Sequence, residues 1–351
     1  MIEKRISERI KLTVILATIL VVVRHSFNAH IYRSDIWQIG PQDISTFIQL
    51  LNVHITAIAV PTFFLLSGYL FFYNFQTKKD LLRKWHSRLH SLIIPYLLWN
   101  VIYFLFFLVI IPNTTFLSNF AAFDPPKFNI QTVLIKLTIH PAAGQLWYVR
   151  DLIGFVVLTP LFYFVYLHKW VAGLTLLCLL LYWHPVDLSV LSSEGLFFFF
   201  IGGWAGHRQF DLNRLQTDSL WGDGMILALW LFICVCQTLW PTEGLIEELV
   251  TKVSTLAGLV VFWLLTSRIN NPLARDRLLY LAPYAFFIYI MHSPLVRYVY
   301  KVLLSLAPQS MHYNLLVYIA TPVITISICF CMAKIIQYSN IRFYSLLTGG
   351  R

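Results

Sequence analysis

Charge is what this chain has little of. Only 12% of its 351 residues are Asp, Glu, Lys or Arg, about half the ~25% of a soluble globular protein. No long polar stretch separates the apolar ones, so a second, soluble domain is excluded and residues 1–351 read as a single domain. Acidic residues are scarcer still, 16 against 26 basic ones, for a net charge of +10. The Lys and Arg residues fall between apolar runs, which is a membrane-topology pattern and not a nucleic-acid footprint. The five cysteines, Cys178, Cys234, Cys236, Cys329 and Cys331, lie in apolar runs without His or acid at zinc-site spacing. They read as small buried hydrophobes, with no metal implied. No small-residue cleavage site follows the charged N-terminal stretch, so the first apolar run is expected to stay as a signal anchor. No Gly-x-Ser-x-Gly elbow or complete serine triad is present, which disfavours a serine nucleophile.

Apolar runs are what the chain does have. A helix crosses the hydrocarbon core with about 20 mostly apolar residues. About ten such spans are predicted, at 12–29, 48–73, 92–112, 147–167, 170–185, 194–207, 224–241, 249–266, 279–304 and 315–337. The expected fold is therefore all-α and polytopic. The longest connection contains Pro125-Pro126 and a periodic piece, Ile130 to Ile139, expected on the membrane surface. Positive residues alternate sides. Lys4, Arg5, Arg9 and Lys11, then Lys78, Lys79, Arg83, Lys84 and Arg88, then Lys169, Arg208, Arg214, Arg268, Arg275 and Arg277, and finally Arg342 and Arg351 share one side. The other side holds scattered Arg33, Lys127 and Lys252 beside Glu243, Glu247 and Glu248. Both termini are expected in the cytoplasm.

Within the first span stand Arg24 and His25. Ionisable groups at membrane depth are costly and usually face a bundle interior or a water-filled cavity. Histidine titrates near neutral pH, which suits it to proton transfer. His54, Arg150, Asp151, His292 and Arg297 lie toward the same side and could share one cavity with His25.

Other segments carry two readings each. In "VPTFFLLSGYLFF", Pro61 disrupts the helix, while Ser67-Gly68 gives either a notch for close helix packing or a place where backbone approaches a ligand. Arg83, Lys84 and Arg88 precede "LIIPYLLWN". They are either anchors to lipid phosphates or a clamp for an anionic ligand such as a nucleotide phosphate. In "QLWYVRDL", Trp147 and Tyr148 fit an interfacial aromatic belt. Arg150 and Asp151, about 100° apart on a helix, are expected to have separate partners. Arg150 is either interfacial or a ligand for carboxylate, phosphate or sugar hydroxyl. His292 precedes Pro294, which frees backbone carbonyls one turn earlier for a nearby polar group.

Taken in order, these segments resemble the acyltransferase 3 family of integral membrane acyltransferases. The quoted landmarks are "ILVVVRHS", "VPTFFLLSGYLFF", "RLHSLIIPYLLWN", "LWYVRDLIGFVVLTPL", "FFFFIGGWAG" and "FFIYIMHSPL". The resemblance implies about ten transmembrane helices and transfer of an acyl group, commonly acetyl, from acetyl-CoA or another acyl-CoA. The implied acceptor is a sugar hydroxyl on a glycan or lipid-linked saccharide of the cell envelope. The implied setting is the bacterial cytoplasmic (inner) membrane, among membrane lipid and glycan-synthesis proteins. By resemblance His25 is the catalytic base, Arg88 a donor-side basic residue and Arg150 part of the site. Family members often have a basic residue eleven positions before the histidine, where this chain has Val14. Lys11 lies fourteen positions before His25, within about 40° of its face, and either stands in or anchors topology. The acid often found near the start of helix one is unmatched, Gln145 stands where a histidine is common, and Ser91 where a second arginine is common.

The expected chemistry has His25 deprotonating an acceptor hydroxyl that attacks a thioester. Arg24 or Arg150 stabilises the oxyanion, and Arg83, Lys84 and Arg88 hold donor phosphates. Ser67, Trp147, Tyr148, Asp151 and His292 line or support the substrate site. The alternative is a permease or flippase for an anionic or lipid-linked saccharide, with His25 as a proton relay. No inverted repeat is visible to favour it.

Overall fold

The computed structural model describes residues 4–26, 47–73, 77–110, 129–183, 190–215, 219–306 and 310–350. Of these, 89% are helical and none is in a strand. Hydrocarbon offers the backbone no hydrogen-bond partner, so each apolar run must satisfy its own amides, and the α-helix does so within one segment. In chain order the helices are α1 (Lys4–Ser26), α2 (Ala59–Phe72), α3 (Lys78–Leu105), α4 (Ile130–Thr138), α5 (Trp147–Tyr166), α6 (Lys169–Tyr182), α7 (Ser193–His207), α8 (Leu220–Leu239), α9 (Gly244–Ser267), α10 (Pro272–Leu281), α11 (Ala285–Ser305), α12 (Met311–Ser339) and α13 (Ile341–Thr348). Side-chain oxygens cap several N-termini: Ser192 accepts from Gly195 N at 3.0 Å, Asn271 from Ala274 N at 3.1 Å and Asn340 from Phe343 N at 3.0 Å.

Seven helical stretches among the described residues are long and apolar enough to cross a membrane: Phe47–Phe72, Lys79–Val109, Gly144–Tyr166, Leu220–Leu239, Gly244–Ser267, Pro272–Ser305 and His312–Ser339. The three other predicted spans map to α1, α6 and α7. Charges at both ends of α1 leave only residues 12–23 uncharged, and predicted positions 27–29 lie outside the described residues. The 14 residues of α6 and 15 of α7 reach about 21 and 22 Å, short of the ~30 Å core. Positions 184–185, Arg33, Pro125, Pro126 and Lys127 also fall outside the described residues. The expected surface piece is α4, with Ile130, Leu134 and Ile135 exposed.

Two compact units divide the chain. One is Met1–Thr77 with Pro160–Ala285, the other Lys78–Thr159 with Phe286–Arg351. In the first, α2 and α7 pack backbone against backbone. A Cβ on Gly68 would lie 2.1 Å from Phe199 O, one on Gly202 2.0 Å from Leu65 O, and one on Gly206 2.3 Å from Tyr69 O. Small residues let membrane helices approach this closely, which is the packing notch that Ser67-Gly68 suggested. Around this seam Phe198, Phe199 and Phe200 are fully buried, and Tyr166 donates to Phe200 O at 2.8 Å. The second unit is organised by α3, a 28-residue helix that joins the basic cluster and the apolar span without a break. At about 42 Å it exceeds the hydrocarbon thickness, so its basic turn projects beyond. Pro95 leaves Ser91 O without an i+4 donor. Gly349, at φ +70°, closes against that carbonyl, and Trp99 Nε1 donates to Leu347 O at 2.9 Å, docking α13 on α3.

The cysteine expectation needs correction. Cys234 and Cys329 are buried, but Cys178 on α6 and Cys331 on α12 are exposed. An apolar membrane helix presents small hydrophobes to lipid as readily as to a core, so an apolar run does not imply burial.

Candidate functional site

In the first unit the segment before α2 departs from the α-helix. Leu50–Ile55 forms a π turn and Thr56–Ile58 a 3₁₀ turn. Pro61 explains the break in part, since it lacks the N–H that would bond Ala57 O and its ring crowds that carbonyl. π turns are rare and frequently mark functional positions. Asn52 O accepts from Thr56 Oγ1 at 2.7 Å and from Arg24 Nη1 at 2.9 Å; the same nitrogen is 3.5 Å from Thr56 Oγ1. The arginine thus ties the end of α1 to the irregular turn. Arg24 and His25 are both exposed, while the flanking Val22 and Ser26 are buried, Ser26 donating to Val22 O at 2.9 Å.

Arg24 acts on two further ionisable groups. His54, half-buried in the π turn, feels its charge, and so does Glu194 in the first turn of α7. Glu194 follows the capping Ser192 in the first turn of α7. It was not singled out from sequence, although the signal was legible: a lone acid opening the otherwise apolar "GLFFFFIGGWAG" run. Ser67 is half-buried on α2. Lys11 is exposed on α1, but fourteen residues separate it from His25 by about 21 Å. It can meet only the far end of an extended ligand that reaches His25.

In the second unit several polar residues bond to one another or to backbone carbonyls. Pro294 leaves Ile290 O without its helical donor, and that carbonyl accepts from Tyr103 Oη at 2.9 Å and Gln145 Nε2 at 2.7 Å. This is the satisfaction of a proline-freed carbonyl that the sequence anticipated. Tyr289 Oη donates to Gln145 O at 2.5 Å, and His292 Nδ1 lies 2.5 Å from Tyr289 O. Tyr148 packs edge-on to Tyr289 with ring centres 5.5 Å apart. His292 is fully buried in this network and Trp147 is half-buried beside it in sequence.

Arg150 and Asp151 overturn the expectation of separate partners. Arg150 donates from Nε to Asp151 Oδ1 at 2.8 Å, with Nη2 2.7 Å from the same oxygen. The 100° offset describes where the Cβ atoms point, and the length of the arginine side chain spans it. Its Nη1 donates to Ile139 O at 2.9 Å, at the C-terminal end of α4, where a cation opposes the helix dipole. Asp151 is fully buried. All three guanidinium nitrogens of Arg150 are engaged, so it reads as a strut between α4 and α5.

Arg83 and Arg88 are exposed and Lys84 half-buried on the projecting turn of α3. Arg83 pairs with Asp80 at 3.1 Å, with its side chain 78% exposed, so solvent screens the pair. Lys84 feels Asp80, Arg88 and Arg83. The site residues predicted from sequence therefore divide: Lys11, Arg24, His25 and Ser67 belong to one unit, and Arg83, Lys84, Arg88, Trp147, Tyr148, Arg150, Asp151 and His292 to the other.

No curated protein and no solved structure matches the chain. The acyltransferase 3 family model, described as an acyltransferase domain, matches residues 12–335. Its reach runs from Leu12 in α1 to within α12 and takes in the candidate site residues except Lys11. This polytopic membrane protein belongs to the acyltransferase 3 family.

Proposed function

We propose that the protein transfers an acyl group, acetyl in the simplest case, from acyl-coenzyme A to a hydroxyl of an envelope or surface glycan. The observation that carries this reading is an exposed histidine, His25, next to an arginine whose position is fixed by a π-turn carbonyl. His25 takes the proton of the acceptor hydroxyl as its oxygen attacks the thioester carbonyl. The tetrahedral oxyanion collapses, the C–S bond breaks, and the thiolate leaves to collect the proton from His25. General-base help of this kind contributes about 10²–10⁴-fold. Arg24 uses one guanidinium nitrogen for Asn52 O and Thr56 among the described residues, which leaves donors for the oxyanion. Arg150 is committed to Asp151 and Ile139 O, which moves the oxyanion role to Arg24. Arg83, Lys84 and Arg88 serve the donor phosphates. The setting is a bacterial cytoplasmic membrane, where a cytoplasmic donor meets an envelope saccharide.

His25→Ala tests the reading in purified protein with labelled acetyl-coenzyme A and in cells by glycan mass. Transfer is expected to fall about 10²–10⁴-fold at normal membrane abundance, with one acyl mass lost from a glycan. Wild-type transfer by the variant removes His25 from the mechanism. Saccharide movement without label transfer by the wild type replaces the enzyme with a permease.

A further inference from the structure

The first unit holds a second polar feature at the N-terminal end of α1. A cavity of about 220 Å³ opens among α1, the end of α9, the loop after it and α10. Its polar walls are Arg5 and Arg9 of α1, Thr266 and Ser267 of α9, Asn270 and Arg275. Three arginines, a threonine, a serine and an asparagine thus line one small volume. The acids nearby are already taken: Glu8 pairs with Arg275, and Asp223 lies 2.6 Å from Arg268. Subtracting Glu8 from Arg5, Arg9 and Arg275 leaves the walls with an excess of two positive charges.

Arg9 is the informative residue. It is only 6% exposed, donates from Nη2 to Trp263 O at 2.6 Å, and stacks over the Trp263 ring at 4.0 Å. Anchoring a helix-end carbonyl explains one nitrogen. Its Nε and Nη1 are buried with no hydrogen-bond partner. A buried charged donor left unsatisfied is expensive, so this edge calls for an acceptor. Arg9 lies below the apolar run that begins at Leu12. Burial, then Arg5 and Arg268, lower its pKa to about 10, with Asp223 opposing, so it remains a cation at neutral pH.

Chemistry and size narrow the ligand. A guanidinium edge matches the paired oxygens of a carboxylate or phosphate. Thr266 and Ser267 spend their hydroxyl protons on Trp263 O and Leu264 O, so the donors for a tetrahedral group with several oxygens are the guanidinium groups and the Asn270 carboxamide. The volume is below the ~300–1,000 Å³ of pockets that take drug-sized ligands, so a phosphoryl group fits and a whole nucleotide does not. The carbonyl end of α9 works against an anion, but Arg9 occupies Trp263 O and covers that end. We propose that this cavity binds a phosphoryl group, held by the free edge of Arg9 with Arg5 and Arg275. An anionic phospholipid headgroup and the phosphate of a soluble coenzyme offer the same chemistry. Arg83, Lys84 and Arg88 are not among its lining residues, and the proposal does not depend on acyl transfer.

The test uses the full chain in neutral phosphatidylcholine nanodiscs. Coenzyme A and inorganic phosphate are titrated while unfolding temperature is followed. In parallel, phosphatidylglycerol retained after exchange into mixed discs is counted by native mass spectrometry. At least one probe is expected to bind, and Arg9→Ala and Arg5→Gln are each expected to weaken it about tenfold or more. A response to coenzyme A or phosphate assigns a soluble ligand; retained phosphatidylglycerol assigns a lipid. Arg5→Gln keeps the proposal falsifiable if Arg9→Ala fails to fold. Binding by none of the probes, or binding unchanged in Arg5→Gln, overturns it. So does binding lost in Arg83→Gln but kept in Arg5→Gln.

Discussion

Two polar seams interrupt the apolar helices of this protein, one in each unit, and they are finished differently. In the second unit, Pro294 frees Ile290 O, and the donors that meet it, Tyr103 and Gln145, are themselves 4% and 6% exposed. Tyr289, His292 and Asp151 close the network from within the fold. In the first unit the π turn presents Asn52 O, and the donor that comes to it is the exposed Arg24, beside exposed His25. Both seams satisfy a backbone carbonyl that a regular helix would have consumed. They differ in whether the donor keeps a face toward ligand. Polar atoms in a membrane helix therefore do not by themselves mark a site. A seam whose donors are all buried holds helices together, whereas one whose donor is accessible is available for chemistry.

The same substitution, acid to amide, should break the two seams in different ways. Asp151→Asn removes the partner of Arg150 inside the buried network. Losing one member of a buried pair costs about 3–5 kcal/mol, so detergent-solubilised protein should unfold at lower temperature and accumulate poorly. An unchanged unfolding temperature would mean that the Arg150–Asp151 pair is not structural. Glu194→Gln removes the charge facing Arg24 and keeps the shape. Transfer should drop about tenfold, or 1.4 kcal/mol, at normal abundance, with Glu194→Asp restoring part of it. A variant that loses stability and activity together would place Glu194 with the buried seam instead. The smallest effect is expected from Tyr103→Phe, which deletes one of two donors to Ile290 O. Gln145 still satisfies the carbonyl, so the loss should be about 1 kcal/mol of stability with transfer intact. A large activity loss there would erase the contrast between the seams.

Much of this was readable before the fold was known, for reasons that differ by residue. The all-α class follows from apolar runs that leave the backbone no other way to bond. Pro294 announced a freed carbonyl, because a proline's missing N–H is a local fact. Its donors were not readable, since Tyr103 and Gln145 arrive from positions 187 and 145 residues away. The Arg150–Asp151 pair was misjudged because helical angles constrain Cβ directions and not the reach of a four-atom stem. The short α6 and α7 lie close to the expected 170–185 and 194–207, because polar residues mark where their apolar runs begin. Arg24 and His25 stood out as charge in hydrocarbon. The partner of Arg24 did not, because a π turn leaves no periodicity of its own in six residues.

That π turn has a mechanical consequence. Below it, Gly68, Gly202 and Gly206 clamp α2 to α7 at backbone contact, so the base of this helix has no freedom to roll. The turn itself, Leu50–Ile55, carries one residue more than an α-helical turn needs. Helical register changes in whole residues, so relaxing the turn would advance Phe47–Gln49 by about 1.5 Å and rotate them by about 100° in a single step. The segment is a screw with one tooth, fixed at its lower end, and the Arg24 bond to Asn52 O is its pawl.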